Sequence, residues 1–354
     1  NSNYGYKERV FMKKKVAVLF GGQSTEHEVS RASATSVLKN IDQTKYDIYP
    51  IGITKDGLWF QYTGKVENIE NGEWETDEYF KMPEGQKVLF NKEVDVVFPV
   101  LHGSFGEDGT IQGMCKLYNI PCVGPGVMSS AICMDKIYTK YLLEKFNVKQ
   151  ADYVVINASE YVKDKDNLIA RIEKELGYPV FIKPANGGSS VGITKAHDQK
   201  ELIVGVIDAL KYDRKILVEQ AINAREIEVG VLGNDDPKAA IPGEVIPAKE
   251  FYDYEAKYKN EESKLLIPAA LNEAKLQSVK DEAIKIYKIL DCAGMARVDF
   301  LVDKETEDIY LNEVNTIPGF TKISMYPKMW QATGKTYVEL IDELIELAIE
   351  RNNK

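Results

Sequence analysis

Short apolar runs alternate with amphipathic segments over the first third of the chain. The run at 16–20 is uniformly apolar and ends at a Gly-Gly pair, which is typical of a buried parallel strand. Apolar positions between 29 and 41 share one face of a helix. Two more strands are predicted at 46–54 and 95–101, followed by a helix at 110–118. Strands that alternate with helices predict an open parallel α/β sheet that binds ligands at the carboxyl ends of its strands.

The rest of the chain shows different patterns. A helix at 129–146 leads into a segment at 150–222, whose order is strand, helix, glycine-rich turn, helix, strand. Beyond it, the pattern predicts antiparallel strands at 226–231, 296–302 and 309–314, and helices with a core-facing stripe at 276–290 and 337–348. The predicted fold class is therefore α/β, with α+β character in the C-terminal part.

These patterns divide the chain into three predicted domains. They cover residues 12–132, 133–224 and 225–354. Residues 1–11 are polar, and we expect them to be a tail outside the fold. The charged, tyrosine-rich stretch at 249–264 has no clear periodicity, which predicts a mobile loop.

Composition and charge exclude several classes of function. The chain has 354 residues, 44% of them hydrophobic, and a formal net charge of −10. The acidic net charge argues against a nucleic-acid-binding surface as the main function but leaves room for a local basic pocket, and no apolar run reaches the roughly 18 residues of a membrane span. The sequence shows no signal-peptide pattern, and no metal-ligand spacing is found among its four cysteines, Cys115, Cys122, Cys133 and Cys292. We therefore expect reduced thiols and a cytoplasmic protein.

The glycine-rich turn at 185–190 is a candidate phosphate-binding segment. Backbone N–H groups of such a turn can surround phosphate oxygens, and Lys183 just before it supplies a positive charge. Gly187 and Gly192 have the spacing of a P-loop, but Ile193 stands where that motif requires lysine. An ordinary β-turn beside a surface lysine explains the segment equally well, so the pattern alone leaves both interpretations open.

Charged and amide side chains alternate on two predicted strands near the C-terminus. Arg297 and Asp299 are two residues apart and therefore face the same side of one strand. Glu313 and Asn315 share a side of the next strand, so pairing of the strands would gather three oxygen ligands suited to Mg²⁺. A cross-strand ion pair between Arg297 and Glu313 is the alternative. The Pro-Gly turn that follows, at Gly319, can present an N–H group to a reacting oxygen and favours a site.

Two polar residues follow the predicted N-terminal strands. Glu28 either binds a substrate ammonium or forms a capping box with Thr25 at the start of the helix. His102 follows the strand at 95–101 and either contacts a ligand there or is a structural histidine. The pattern by itself favours the structural explanation in both cases.

Together these segments resemble the D-alanine–D-alanine ligase family of ATP-grasp enzymes. The resemblance rests on motifs that follow the family's order, at 19–22, 26–30, 101–109, 134–136, 183–192, 251–258, 296–299 and 312–319. It implies a three-domain ATP-grasp fold. It also favours functional roles over structural ones for Glu28, for His102 and for the polar residues of the two C-terminal strands.

The resemblance implies that ATP lies between the central and C-terminal domains. The implied nucleotide-binding residues are Lys136, Lys183, Ser189, Ser190, Glu219, Gln220, Ile222, Glu226, Lys257 and Asn312. Two Mg²⁺ ions, replaceable by Mn²⁺, are implied on Asp299, Glu313 and Asn315.

The resemblance also implies which residues act on the substrates. Glu28 takes the ammonium of the first D-alanine, while Arg297 and the N–H of Gly319 face the carboxylate under attack. Closure of the mobile loop over the site is assigned to Ser189, Lys257 and Tyr258. The other implied substrate contacts are His102, Ser324 and Met325.

The implied activity is ATP-dependent ligation of two D-alanines through an acyl phosphate, for peptidoglycan precursor synthesis. The lysine–tyrosine pair at 257–258 argues against D-lactate as the second substrate, and Met325 after Ser324 favours D-alanine over D-serine. The alternatives are a D-alanine–D-serine ligase, another ATP-grasp ligase, and a nucleotide-binding protein without turnover. No nucleic acid or membrane partner is expected, whereas a homodimer is an expectation from the family.

Overall fold

The computed structural model describes residues 12–188, 190–247 and 263–353, which form three β-sheets flanked by helices. The predicted tail at 1–11 and all but the last two residues of the predicted loop at 249–264 lie outside the described residues. The same is true of three predicted site residues, Ser189, Lys257 and Tyr258.

Each sheet is formed by one stretch of the chain. The N-terminal sheet contains β1 (Lys14–Gly21), β2 (Tyr46–Ile53), β3 (Trp59–Tyr62), β4 (Lys81–Pro83) and β5 (Val96–Pro99). The central sheet contains β6 (Tyr153–Asn157), β7 (Val180–Pro184), β8 (Thr194–Ala196) and β9 (Lys215–Gln220). The C-terminal sheet contains β10 (Ala224–Leu232), β11 (Lys238–Ala239), β12 (Gly243–Ile246), β13 (Lys264–Leu266), β14 (Met295–Asp303) and β15 (Ile309–Asn315).

Helices cover the faces and ends of these sheets. They are α1 (His27–Asn40), α2 (Glu67–Asn71), α3 (Lys87–Phe90), α4 (Thr110–Leu117), α5 (Val127–Met134), α6 (Lys136–Glu144), α7 (Ala158–Glu175), α8 (Gln199–Ala209), α9 (Glu273–Ile289), α10 (Met325–Ala332) and α11 (Tyr337–Asn352). Within the described ranges, no helix has the length and apolar character needed to cross a membrane.

The N-terminal sheet has the strand order β4-β3-β2-β1-β5. Strands β1, β2 and β5 are parallel, as the alternating pattern predicts, while β3 and β4 extend the sheet in the antiparallel sense. This extension packs around Trp74, which is fully buried and whose ring lies 4.9 Å from that of Phe20 and 6.4 Å from that of Tyr62, centroid to centroid. The sheet is therefore mixed, with a parallel centre.

The central and C-terminal sheets are antiparallel. Their strand orders are β6-β9-β7-β8 and β13-β12-β10-β14-β15, and β11 pairs with β10. Helix α9 packs on the C-terminal sheet, whereas α11 packs against α1 and β5 of the N-terminal domain. Apolar side chains of α11 and of the N-terminal sheet share one hydrophobic core, which holds the last helix against that sheet.

The predicted helix at 129–146 is two helices, α5 and α6, which meet at Asp135. The carboxylate of Asp135 accepts hydrogen bonds from the N–H groups of Ile137 and Tyr138, at 3.0 and 3.1 Å, and so caps a new helix. The apolar pattern continues through this position, so periodicity alone predicts a single helix. The break places Lys136 in the first turn of α6, beside the glycine-rich turn.

The packing around Trp74 predicts that substitution of a glycine beside its ring destabilises the protein. A Cβ on Gly52 would lie 2.4 Å from a ring atom of Trp74, so we expect Gly52→Ala to destabilise the protein by about 1–3 kcal/mol. Gly113 lies inside α4 with no atom near its Cβ position, so Gly113→Ala is the matched control and is expected to stabilise by up to about 1 kcal/mol. Apparent melting temperatures of both variants test this, and equal shifts would contradict the described packing.

Candidate functional site

A cavity of about 960 Å³ lies between the central and C-terminal sheets, and two N-terminal residues, Glu26 and Glu107, also line it. This volume is at the upper end of the range for small-molecule sites and accommodates a nucleotide with a small substrate. The predicted site residues that line the cavity are Lys136, Lys183, Ser190, Glu219, Gln220, Ile222, Glu226, Arg297, Asp299, Asn312, Glu313 and Asn315.

The register of β10, β14 and β15 gathers acidic side chains on one wall of the cavity. Glu228, Asp299 and Glu313 are paired directly across the three strands, and Arg297 pairs with Asn315 two residues away. The two C-terminal strands therefore pair as the sequence predicts. Directly paired side chains have Cβ atoms about 4.5–5.5 Å apart, so these like charges repel one another unless positive charge lies among them.

Arg297 supplies part of that positive charge. Its guanidinium donates to both carboxylate oxygens of Asp299, at 2.8 and 2.7 Å, and lies 3.2 Å from Glu228. The side-chain amide of Asn315 also donates to Asp299, at 3.0 Å. The register places Glu313 opposite Asp299, so the residue that faces Arg297 directly across the strands is Asn315.

The oxygen atoms of this wall fit a hard divalent cation. Asp299 and Glu313 offer carboxylates and Asn315 an amide oxygen, which leaves coordination positions for phosphate oxygens and water, as Mg²⁺ prefers. In the part of the chain that the structure describes, no group of three His, Cys, Asp or Glu side chains could hold a metal by itself. The donor set therefore fits a cation that binds together with a nucleotide.

A bulge in β15 turns one more residue toward the cavity. Glu313 and Leu311 both have partners on β14, whereas the ladder skips Asn312 between them. Bulges of this kind redirect a side chain. The Oδ1 atom of Asn312 accepts a hydrogen bond from Lys183 at 3.3 Å, which links the central sheet to the C-terminal sheet across the cavity.

A buried carboxylate on β9 lies between two lysines. The Oε1 atom of Glu219 is 3.0 Å from Nζ of Lys140, and its Oε2 atom is 2.7 Å from Nζ of Lys183. Burial by itself raises the pKa of Glu219, but the two ammonium groups outweigh it and lower that pKa to about 2. Burial likewise lowers the pKa of Lys183, and Glu219 outweighs it and raises that pKa. Glu219 and Lys183 are therefore both charged at neutral pH.

Two lysines flank the glycine-rich turn. Nζ of Lys136 donates to the carbonyl oxygen of Gly187 at 2.8 Å, and Lys183 on β7 precedes the turn. Ser190 has a φ of 62°, in the left-handed region, so the turn bends sharply there. Because Lys183 is largely buried and lines the cavity, the alternative of a surface lysine beside an ordinary turn is wrong.

The prediction that Glu28 faces the substrate is wrong. Its side chain is 46% exposed and lies 2.5 Å from Nζ of Lys55, outside the cavity lining. The capping box with Thr25 is also wrong, because the N-cap of α1 is Glu26 and no side chain caps this end. Residues two apart at the start of a helix point about 200° apart, which turns Glu28 to solvent when Glu26 faces inward.

Two carboxylates from the N-terminal part of the chain face the cavity instead, and Glu26 is buried whereas Glu107 is half-buried. Glu26 packs against Gly188 and Gly103, where an added Cβ would lie 2.2 and 2.7 Å from its Oε2 atom. Glu107 accepts hydrogen bonds from the N–H groups of Gly103 and Ile317, at 2.8 and 3.1 Å. Burial, and then the charge of Glu26, raises the pKa of Glu107 to about 8. A positively charged ammonium group beside Glu26 and Glu107 would relieve the repulsion between the two carboxylates. The pair is therefore a candidate subsite for the ammonium group of an amino acid.

Besides Glu28, four further predicted substrate contacts lie outside the cavity lining among the described residues: His102, Gly319, Ser324 and Met325. Both ring nitrogens of His102 have protein partners, and burial lowers its pKa to about 4, so the ring is neutral. The hydroxyl of Ser324 bonds to the backbone and side chain of Thr321, and Met325 belongs to the hydrophobic core. The side chains of His102, Ser324 and Met325 therefore support the walls rather than contact the cavity, whereas Gly319 can take part only through its backbone.

Sequence reasoning missed several charged residues of the site, among them Glu26, Glu107 and Glu228, which line the cavity, and Lys140, which pairs with the lining residue Glu219. Glu228 lies two residues after Glu226 on the same strand, so strand alternation alone identifies it. Lys140 lies four residues after Lys136 on one helix face, which is an equally simple signal. Glu26 and Glu107 lie in turns after strands, where no periodicity exists to show their direction.

Comparison with known proteins agrees with this geometry. Residues 15–125 match the family model described as D-ala D-ala ligase N-terminus, and residues 142–346 match D-ala D-ala ligase C-terminus. The chain is 72% identical over 343 residues to the D-alanine--D-alanine ligase of Clostridium novyi, which covers 97% of this chain and 100% of that protein. It is 71% identical over 342 residues to the D-alanine--D-alanine ligase of Clostridium acetobutylicum, with the same coverage.

Two solved structures are similar over nearly the whole chain. The VanG D-Ala:D-Ser ligase from Enterococcus faecalis has a TM-score of 0.86 at 40% identity, with 95% of this chain and 99% of that chain covered. The D-alanine-D-alanine ligase from Coxiella burnetii has a TM-score of 0.79 at 33% identity, with 96% of each chain covered. The fold is thus that of the ATP-grasp ligases, as the resemblance implied. Within that class, the chain belongs to the D-alanine–D-alanine ligase family.

The lysine pair around Glu219 predicts a role for Lys140 in nucleotide binding. Glu219 and the phosphates of a nucleotide compete for the ammonium group of Lys183. When Lys140 is removed, Glu219 depends more on Lys183 for its ion pair, so Lys183 binds phosphate less well. We expect Lys140→Met to weaken binding of a non-hydrolysable ATP analogue about tenfold, equivalent to about 1.4 kcal/mol. Lys149→Met is the matched control, because Lys149 is exposed and pairs with Asp308 on the surface. Calorimetric titrations in which both variants bind alike would contradict this role.

Proposed function

We propose that this protein uses ATP to join two D-alanines into D-alanyl-D-alanine. The observation that carries the proposal is a single cavity with three chemically distinct parts. It combines a glycine-rich turn flanked by Lys136 and Lys183, an acidic wall suited to divalent cations, and the carboxylate pair Glu26 and Glu107. These parts suit a triphosphate, its metal ions and an amino-acid ammonium respectively.

The nucleotide is proposed to bind between the central and C-terminal sheets. Lys136 and Lys183 then contact its phosphates together with the turn at Ser190, while Glu219, Gln220 and Ile222 hold the adenine and Glu226 the ribose; all of these residues line the cavity. Asp299, Glu313 and Asn315 are proposed to bind two Mg²⁺ ions, or Mn²⁺ in their place. When bound, these ions neutralise the charge of the phosphates during phosphoryl transfer.

The first D-alanine is proposed to bind at the end of the cavity that Glu26 and Glu107 line. Its ammonium pairs with Glu26, which takes the role that the resemblance had assigned to Glu28. Its carboxylate then lies toward Arg297, which lines the same cavity. A carboxylate is a poor electrophile, so the reaction begins by transfer of the γ-phosphoryl group to one of its oxygens, which releases ADP.

The amine of the second D-alanine then attacks the carbonyl carbon of this acyl phosphate. A C–N bond forms, the C–O bond to phosphate breaks, and the proton that the amine loses passes to the departing phosphate. The carbonyl oxygen becomes negatively charged during the attack, and we propose that Arg297 and the N–H of Gly319 stabilise it. The loss of one such donor typically costs about 10²–10³ in rate. Ser189, Lys257 and Tyr258 keep their predicted role in closing the site against water, which hydrolyses acyl phosphates.

D-serine is the alternative second substrate, because a structurally similar protein is a D-Ala:D-Ser ligase. The relatives with 71% and 72% identity carry the name D-alanine--D-alanine ligase, which favours D-alanine. We further propose three domains, at 12–132, 133–224 and 225–354, on the grounds of the three separate sheets. A cytoplasmic location, where ATP is available, and a homodimer are proposed from the family.

The test of this function is release of ADP and phosphate by the purified full chain with a panel of substrates. We expect turnover with D-alanine and Mg²⁺, little with L-alanine, and none after chelation of the metal. Faster turnover with D-alanine plus D-serine than with D-alanine alone would identify D-serine as the preferred second substrate. Nucleotide binding without turnover on any member of the panel would contradict a ligase.

The two neighbouring glutamates at the start of α1 provide a matched pair of variants. Glu26→Gln removes the charge that faces the ammonium, and we expect the Michaelis constant for the first D-alanine to rise about ten- to hundredfold, in line with a charged hydrogen bond worth about 1.5–3 kcal/mol. Glu28→Gln removes an exposed charge paired with Lys55 and is expected to change neither substrate constant. The Michaelis constant for ATP serves as the internal control. A larger effect at Glu28 would reverse the assignment.

A further inference from the structure

Three side chains of the N-terminal domain hold the backbone of the loop at 317–320. Glu107 accepts a hydrogen bond from the N–H of Ile317 at 3.1 Å, and Nδ1 of His102 lies 3.0 Å from the carbonyl oxygen of the same residue. The hydroxyl of Ser33, on α1, accepts a hydrogen bond from the N–H of Phe320 at 3.1 Å. Both ends of a C-terminal loop are therefore held by residues from another domain.

The direction of each hydrogen bond follows from the chemistry of the groups. The carbonyl oxygen of Ile317 can only accept, so Nδ1 of His102 carries the proton and Nε2 is the acceptor in a neutral ring. The hydroxyl of Ser33, 2.9 Å from Nε2, therefore donates to His102 and accepts from Phe320. The chain of bonds has one consistent arrangement, and each of its groups is buried.

The loop held in this way contains Gly319. Gly319 is buried, and no hydrogen bond joins its N–H group to another residue in the described ranges. Buried N–H groups without a protein partner are rare and are usually satisfied by a ligand or by water. The backbone is fixed on both sides of Gly319, because Phe320, the next residue, is fully buried, and Ile317, two residues before Gly319, is held through its N–H and its carbonyl.

We propose that Ser33, His102 and Glu107 are positioning residues that hold the loop at 317–320 so that the N–H of Gly319 is aimed at the oxygen that gains charge during amine attack. This inference rests on the proposed function, because it needs an acyl-transfer step with a charged oxygen. It changes the role of His102 from a substrate contact to a support for the loop. It also makes the second half of the reaction depend on docking of the N-terminal domain.

The test uses two buried serines on the same helix. Ser33→Ala removes the hydroxyl that connects His102 with Phe320. Ser30→Ala is the matched control, because among the described residues its hydroxyl accepts a hydrogen bond from the N–H of Gly21 and donates one to the carbonyl oxygen of Val100, both in the N-terminal part of the chain. We expect Ser33→Ala to lower kcat at least tenfold with an unchanged Michaelis constant for ATP, and Ser30→Ala to leave kcat within about twofold.

A second readout separates positioning from a general loss of structure. Exchange of ¹⁸O between the bridging and non-bridging positions of ATP reports reversible phosphoryl transfer and does not require amine attack. We expect this exchange to fall less than dipeptide formation in Ser33→Ala, so that the ratio of exchange to product rises at least fivefold over the unmutated protein. An unchanged ratio, or the same change in Ser30→Ala, would overturn the proposal.

Variants of His102 keep the proposal testable if Ser33→Ala folds poorly. The amide of His102→Gln can donate to Ile317 and accept from Ser33, whereas His102→Leu can do neither. We expect His102→Gln to retain at least fivefold more kcat than His102→Leu, and equal loss in both would overturn the proposal. Failure of the proposed function would be seen separately, as absence of D-alanine-dependent ADP release by the unmutated protein.

Discussion

The antiparallel register of β10, β14 and β15 is the constraint on which the site depends. It pairs Glu228, Asp299 and Glu313 across three strands and places Arg297 opposite Asn315. A shift by one residue would turn each of these side chains to the opposite face of the sheet. The buried apolar residues between them, such as Val298 and Phe300, fill the core on the other face and so hold the register in place. Apolar packing on the core face of this sheet therefore holds the acidic side chains together on the cavity face despite their mutual repulsion.

The charged side chains of the cavity form ion pairs with one another that a bound nucleotide and its cations can replace. Lys183 is bound to Glu219 and Asn312, and Arg297 to Asp299 and Glu228, so the lysine and the arginine already have acidic or amide partners. A nucleotide with divalent cations brings negative phosphates to the lysines and positive charge to the acidic wall. Each ligand therefore replaces interactions that the protein makes within itself, which favours binding of metal and nucleotide together over binding of either alone.

Patterns of period two and period 3.6 predicted the parallel centre of the first sheet and the antiparallel third sheet, because packing on one face sets these periods. The residues proposed to bind the nucleotide came from the family resemblance instead, and those that the structure describes line the cavity. The sequence did not separate α5 from α6, since the cap at Asp135 interrupts no apolar stripe. It chose Glu28 over Glu26, because a residue in a turn has no periodic neighbour that reveals its direction. The bulge at Asn312 and the contacts of His102 depend on tertiary pairing, which no local pattern contains.

The most direct test of this account is a crystal structure of the full chain with Mn²⁺ and a non-hydrolysable ATP analogue, in which anomalous scattering locates the metal. We expect two manganese peaks bounded by Asp299, Glu313 and Asn315, with phosphate oxygens completing their coordination. Manganese bound elsewhere, with these three side chains free of metal while the nucleotide is present, would contradict the central claim.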